Sequence, residues 1–271
     1  MENRLNLLYL SVTKSGDWDN IYAALSNQEC GNGDPVAEKI VNNTLAALEA
    51  NSIKFTTIID DDYPDRLKAM IKPPFVLFYQ GDISLLGMHS KLIGIVGAGN
   101  KISEYGKLAT IRVLLDAQKA GANPITAYES AAEEVVIKAG VAAKCKNIII
   151  ANKALERFQP DGYLKENVLL NGGCVISDVP FDALVERTKE DVYSMLDGLL
   201  TDRTLVVTEL GKQKSPAEID DFARMFKNSD VKRFAVAHSV IEDYEDGCNE
   251  LIKGWRGFEL YSRASIIKGE N

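Results

Sequence analysis

Two glycines and the residues after them carry the clearest chemistry in the chain. In KLIGIVGAGNKISEYGK, Gly97 and Gly99 have no Cβ, so the backbone can turn sharply there and approach a ligand closely. Ser103 can cap a following helix, and Glu104 falls in its first turn. A helix start behind a glycine turn offers free backbone N–H groups, which suit a phosphate. Gly97, Ala98, Gly99, Asn100, Lys101 and Ser103 are therefore candidate phosphate-binding positions. The dinucleotide fingerprint would need a third glycine three places after Gly99, and Ile102 stands there. Since α/β proteins also use such a turn with no ligand, the loop alone leaves both readings open.

Catalytic constellations are missing from the sequence. There are two histidines, His89 in a polar spacer and His238 after an apolar run, and neither has a partner motif. No Gly-x-Ser-x-Gly elbow and no Walker lysine occurs. The four cysteines, Cys30, Cys145, Cys174 and Cys248, are too scattered for metal-ligand spacing. They read as reduced thiols of a cytoplasmic protein, with Cys174 buried at a strand start. Asp60, Asp61 and Asp62 read as a solvated turn in preference to a cation site. The expectation is no catalytic residue, no metal and no cofactor. A net charge of −8 and a pI near 5.0 argue against sequence-blind binding of long nucleic acid, although a local basic pocket remains compatible with them. No apolar run is long enough to span a membrane, and MENRLNLLYLSVTKSGDWD lacks the basic start of a secretory signal.

The elements that would position these residues follow from periodicity. Residues 1–55 read as a small helical N-terminal module, with helices over Asp17–Ser26 and Pro35–Ala50. Asp34 and Pro35 make a cap and first-turn pair. Residues 56–271 read as one larger domain. Strand-like runs are Val76–Tyr79, Leu92–Ala98, Pro124–Ala127, Asn147–Ala151, Cys174–Asp178, Leu205–Thr208 and Arg233–Ala237. Helical patterns alternate with them over Ser103–Ala120, Glu129–Ala142, Tyr163–Asn171, Thr188–Leu200, Pro216–Lys227 and Gly247–Trp255. Such alternation predicts an α/β fold with a doubly wound, mostly parallel sheet whose functional loops lie at the carboxyl ends of strands.

Longer patterns carry a family resemblance. Tyr63-Pro64-x-x-Leu67 precedes Pro73-Pro74-x-x-Leu77-Phe78-Tyr79-x-Gly81, then Ile95-Val96-Gly97 and Tyr105-Gly106. CVISDVP carries Asp178 and Pro180, TLVVTEL carries Glu209, and DGCNELIKGW carries Gly247, Asn249, Leu251, Ile252 and Gly254. In order and spacing this set resembles the DNA-processing protein family, DprA/Smf, over roughly residues 55–257. The resemblance implies an extended Rossmann-like domain that binds single-stranded DNA, hands it to a RecA-type recombinase and works as a homodimer without a membrane or a cofactor. Because the chain ends soon after residue 257, the winged-helix tail of many members is expected to be absent.

The ligand-facing motifs depart from the family. Its Gly-Ser-Arg loop reads Gly97-Ala98-Gly99-Asn100 here, so the phosphate-contacting arginine is lost. Lys101 or Lys107 would replace it only as a point charge. Its Ser-Gly-x-Ala-x-Gly-Ile-Asp motif becomes Ile125-Thr126-Ala127-Tyr128-Glu129-Ser130. Thr126 keeps a hydroxyl for a phosphate, while Glu129, Glu133 and Glu134 oppose an anion unless they point away. Near its Arg-Asn-Arg motif this chain has Arg187 and Lys189. Its Ser-Gly-Ser motif becomes Lys212-Gln213-Lys214-Ser215-Pro216-Ala217, either a basic binding loop or an ordinary cap. The resemblance places DNA over the loops after the first, second, fifth and sixth core strands, with Gly97, Gly99, Asn100, Lys101, Thr126, Lys212, Lys214 and Ser215 lining that surface. Two other readings stay open: a sensor of a nucleotide-like small ligand in the same crevice, or a binding-deficient scaffold. Related phosphoribohydrolases carry Pro-Gly-Gly-x-Gly-Thr, which is missing here: Gly172-Gly173 precedes a strand and lacks the threonine.

Overall fold

Apolar strands and helices alternate along most of the chain. The computed structural model describes residues 3–31, 33–99, 101–160, 162–211, 215–238, 247–254 and 256–263. In chain order the elements are α1 (Asn3–Thr13), α2 (Trp18–Ser26), α3 (Pro35–Ala50), β1 (Lys54–Thr57), α4 (Asp65–Lys68), β2 (Val76–Gly81), β3 (Leu92–Gly97), α5 (Glu104–Lys119), β4 (Asn123–Ala127), α6 (Ala131–Ala142), β5 (Ile148–Ile150), α7 (Leu164–Leu170), β6 (Cys174–Ser177), α8 (Lys189–Leu199), β7 (Thr204–Glu209), α9 (Pro216–Arg224), β8 (Lys232–Ala235), α10 (Gly247–Lys253) and β9 (Glu259–Leu260).

The strands form one nine-stranded sheet in the order β1-β2-β6-β5-β4-β3-β7-β8-β9. From β6 to β9 every pairing is parallel, and β2 runs antiparallel to both β1 and β6. Chain order runs outward from β3 through β4, β5 and β6 on one side and through β7, β8 and β9 on the other. The reversal between β3 and β7 is the topological switch point, where open α/β sheets form a crevice.

Both faces of the sheet are covered, which is why the strands read as unbroken apolar runs. On one face Leu92 and Val96 pack with Tyr193, Leu196 and Leu200 of the α8 region and with Phe222 of α9. On the other, Ile93 and Ile95 pack with Val113, Leu114 and Ala117 of α5 and Val136 of α6. Leu7 and Leu8 of α1 and Val41 and Leu48 of α3 share a core with Phe55, Phe78, Ile149 and Val175. Each buried Leu, Ile, Val or Phe among them contributes about 1.5–3 kcal/mol by leaving water.

The resemblance motifs near the N-terminus prove to be structural. Tyr63 donates its hydroxyl to the Pro74 carbonyl at 2.6 Å, and the Trp18 indole donates to the Pro73 carbonyl at 2.9 Å. Asp60 accepts from Arg4 and from the Thr57 amide and hydroxyl, and Asp62 accepts from Thr56. Two of the acidic triplet therefore hold a turn, and no metal-binding group occurs among the described residues. Cys174 is fully buried at the start of β6, and burial pushes its thiol up to about 12. No helix among the described residues is long and apolar enough to cross a membrane.

Three differences from the sequence reading have physical causes. The unpredicted β1 exists through its pairing with β2, Lys54 opposite Tyr79 and Thr57 opposite Val76, and a four-residue strand has little periodicity of its own. The two-residue β9 likewise depends on pairing with β8. Helix α9 stops at Arg224, short of Lys227, because the Asp197 carboxylate takes the backbone N–H groups of Lys227 and Asn228 at 2.8 and 2.7 Å.

Candidate functional site

At the switch point, β3 ends in Gly97 with little room around it. A Cβ there would lie 2.3 Å from the Ala132 Cβ, so this glycine serves close packing of α6. Its carbonyl accepts from the Ser130 hydroxyl at 3.0 Å, and the Tyr193 hydroxyl oxygen lies 3.2 Å from it. The Ala98 amide donates to the Glu209 carbonyl at 2.8 Å. Gly99 then turns the chain with φ of +115°, a backbone state that favours glycine. Lys101 is exposed beyond it.

Ser103 caps α5 as expected, accepting from the Gly106 amide at 2.9 Å. Part of the expected donor set is already taken. The Ser103 amide donates to both oxygens of Glu209 at 3.0 Å, and the Ser103 hydroxyl donates to Glu209 Oε2 at 3.0 Å. Glu209 is 2% exposed. A carboxylate at a helix N-terminus gains from the helix dipole and from charge-assisted hydrogen bonds, as a phosphate would. It also explains Gly106: a Cβ there would fall 1.5 Å from Glu209 Oε2.

The other candidate positions fare similarly. Thr126 does not reach the crevice: it is 2% exposed and donates its hydroxyl to the Ile95 carbonyl at 2.7 Å, inside the sheet. Ser215 caps α9 in a reciprocal capping box, its amide and hydroxyl both donating to Glu218 Oε2 at 2.9 and 3.0 Å. Asn100, Lys212 and Lys214 lie outside the described residues. At the start of α6, Ser130 caps, and the Glu129 amide donates to Glu133 Oε2 at 2.7 Å. Before each of these three helices a carboxylate of the chain takes the amide of the cap residue or of the residue ahead of it.

The acidic residues after β4 do not act together. Glu133 points inward, fully buried, and accepts from the Tyr193 hydroxyl at 2.6 Å. Burial pushes its carboxyl up to about 7, against the hydrogen bonds from Tyr193 and the Glu129 amide, and burial together with Glu133 raises the Tyr193 phenol. Glu134 pairs with Lys138. An open space is lined by Glu134 and, beside it, by Glu129. Burial raises the Glu129 carboxyl above the ordinary range, while Lys189 and Asn152 pull it down.

That space is a cleft of about 520 Å³ between the loops after β4 and β5. Tyr128, Glu129 and Ser130 form one wall, and Asn152, Lys153, Arg157 and Gln159 the other. Lys153 pairs with Glu186 at 2.7 Å, and Arg157 donates to the Ala183 carbonyl at 3.0 Å, so both cations are held at the rim. Lys189 lies 5.2 Å over the Tyr193 ring and lines a smaller cavity of about 190 Å³ with Ala98 and Phe222. Sequence reasoning passed over Asn152, Lys153 and Arg157. Their position just after a buried parallel strand was the signal that could have found them.

Two further cationic or aromatic positions are structural. Arg187 donates through Nε to both oxygens of Asp178, at 3.0 and 2.9 Å, and through Nη2 to the Gly16 carbonyl. The His238 ring lies 4.7 Å from the Tyr105 ring and 2.9 Å from the Thr208 carbonyl, and Asn249 brackets the His238 backbone with two hydrogen bonds.

The sequence pattern of the family described as DNA recombination-mediator protein A matches residues 54–255, from the first strand to just beyond α10. The chain belongs to that family. It is similar to the DNA processing protein DprA of Bacillus subtilis (strain 168), with 26% identity over 242 residues, 87% of this chain and 76% of the relative. In fold it is similar to DNA processing protein A from Streptococcus pneumoniae, with a TM-score of 0.65 and 18% identity over 98% of this chain and 94% of the other. DNA processing protein A from Helicobacter pylori, whose structure describes a single-stranded DNA binding mode, aligns with a TM-score of 0.61 and 17% identity over 79% and 94%. The switch-point crevice and the cleft after β4 and β5 both lie inside the family's matched region.

Proposed function

We propose that this chain is a non-enzymatic DNA-processing protein that binds single-stranded DNA and passes it to a RecA-type recombinase. Family membership and the single-stranded DNA binding described for the Helicobacter pylori relative support this reading. The observation that carries it is the 520 Å³ cleft, with Lys153 and Arg157 at its rim and Asn152 and Tyr128 in its walls. Cations for a backbone beside polar and aromatic groups for bases suit a single strand. In this reading residues 1–55 are an accessory helical module, the protein works in the cytoplasm as a homodimer, and it needs no cofactor. Lys101, Lys212 and Lys214 are secondary phosphate contacts in this reading.

A nucleotide phosphate at the start of α5 is disfavoured, because Glu209 already holds those donors. The test is fluorescence anisotropy with a short labelled oligo-dT at several salt concentrations. Submicromolar binding that weakens linearly on a log–log salt plot is expected. Failure to bind at low salt, with thermal stabilisation by a mononucleotide instead, would overturn the reading.

A further inference from the structure

Glu129 is out of place in a cleft for a polyanion. Its backbone is fixed, because its amide donates to the buried Glu133 at 2.7 Å. The neighbouring carboxylates are engaged: Glu133 by Tyr193, Glu134 by Lys138 and Glu186 by Lys153. Glu129 Oε1 is shielded from solvent and has no hydrogen-bond partner among the described residues. A shielded acceptor without a donor is unfavourable, and a ligand N–H would relieve it. Asn152, on the facing loop, is close enough to lower the Glu129 carboxyl by hydrogen bonding. The negative charge of Glu129 turns a phosphate away from this point, so whatever enters beside it has to present N–H donors.

The bases differ in what they offer. On its Watson–Crick edge guanine presents two adjacent donors, N1–H and N2–H, next to the O6 acceptor. Thymine offers one donor between two carbonyls, and adenine and cytosine each set one amino group beside a ring-nitrogen acceptor that a carboxylate repels. We propose that Glu129 reads guanine in the bound strand, accepting from N1–H and N2–H, while the Asn152 amide donates to O6. Lys153 and Arg157 at the rim then meet the flanking phosphates. The inference rests on the single-strand reading above. A free guanine nucleotide presents the same edge, so the test includes it.

The experiment compares labelled oligo-dT with the same strand carrying one central dG, dA or dC, and measures stabilisation by GMP in parallel. The dG strand is expected to bind about tenfold tighter than oligo-dT, the lower part of the range for a bidentate base contact. Glu129→Gln should abolish that preference, so that the dG strand and oligo-dT bind this variant alike. Asn152→Asp, which sets a second carboxylate against O6, should abolish it too. Equal binding of all strands by the unaltered protein overturns the guanine inference and leaves the single-strand reading standing. So does Glu129→Gln tightening every strand alike, because the carboxylate then only repels phosphate. GMP binding that is lost in Glu129→Gln, with no strand bound, upholds the guanine edge and overturns the single-strand reading. Binding of neither strand nor GMP overturns both.

Discussion

At the carboxyl ends of β3 and β7 the helix that follows β3 starts on a carboxylate from the chain itself, which takes the amide and the hydroxyl of Ser103. At the carboxyl ends of β4 and β5, next along the same sheet, the loops stand apart and leave about 520 Å³ between them, with cations at the rim. The first place has the features by which anion sites are recognised: a glycine turn, a serine cap and a helix N-terminus. The second shares the serine cap and the helix N-terminus, at Ser130 and α6, and lacks the glycine turn. The difference shows that a helix N-terminus accepts whichever anion reaches it, and a tethered carboxylate arrives at a high effective concentration. A free phosphate would have to displace it. The cleft keeps its capacity because its own helix start is served by Glu133 from below, which leaves the upper surface open.

The largest effect should come from emptying the crevice. Glu209→Ala removes a carboxylate that takes three donor contacts from Ser103 and leaves those donors shielded; the expected loss is about 4 kcal/mol of stability by urea denaturation. Phosphate or sulfate should restore part of that loss in the variant and give no comparable gain in the parent. A variant as stable as the parent would remove Glu209 as the reason the crevice is closed.

Next in size is the charge beneath the cleft. The Glu133 carboxyl is pushed from 4.5 up to about 7 by burial, so the folded protein keeps this proton longer than the unfolded chain does. Its contribution to stability is fully present below about pH 4.5 and is lost as pH rises through about 7, a change of about 3 kcal/mol. In Glu133→Gln an amide can donate to Tyr193, whose hydroxyl already lies 3.2 Å from the Gly97 carbonyl. The variant should lose this part of the pH slope and be the more stable protein at pH 8. Parallel pH profiles for the two proteins would show that Glu133 is not the titrating group.

The smallest effects compare the two places directly. Arg157→Ala should weaken oligo-dT binding about tenfold and flatten the salt slope by about 0.7, one phosphate's share for a single strand. Lys101→Ala, beside the filled crevice, should change binding less than about twofold. If the two results were exchanged, the strand would run over the crevice and not the cleft.

How much could be read in advance followed the range of the interaction. The parallel strands were legible because residues such as Leu92–Gly97 are buried on both faces and therefore apolar throughout. The caps at Ser103 and Ser215 were legible because each bonds a residue three places on. Thr126 looked available because it ends an apolar run, but the pleat of β4 aims its hydroxyl at β3. Glu209 lies 106 residues from Ser103, and nothing local marks it as that helix's anion.

The sequence by itself determined the family, the alternation of strands and helices, and the caps at Asp34, Ser103 and Ser215. These depend on side-chain periodicity and on bonds within one turn, which the local chain encodes. Only the tertiary structure decided which anion fills each helix start and where the sheet edge stays open. Those outcomes depend on crossings between distant segments, where Glu209 and Glu133 meet their donors at hydrogen-bond distance and Asn152, Lys153 and Arg157 are held across from Glu129.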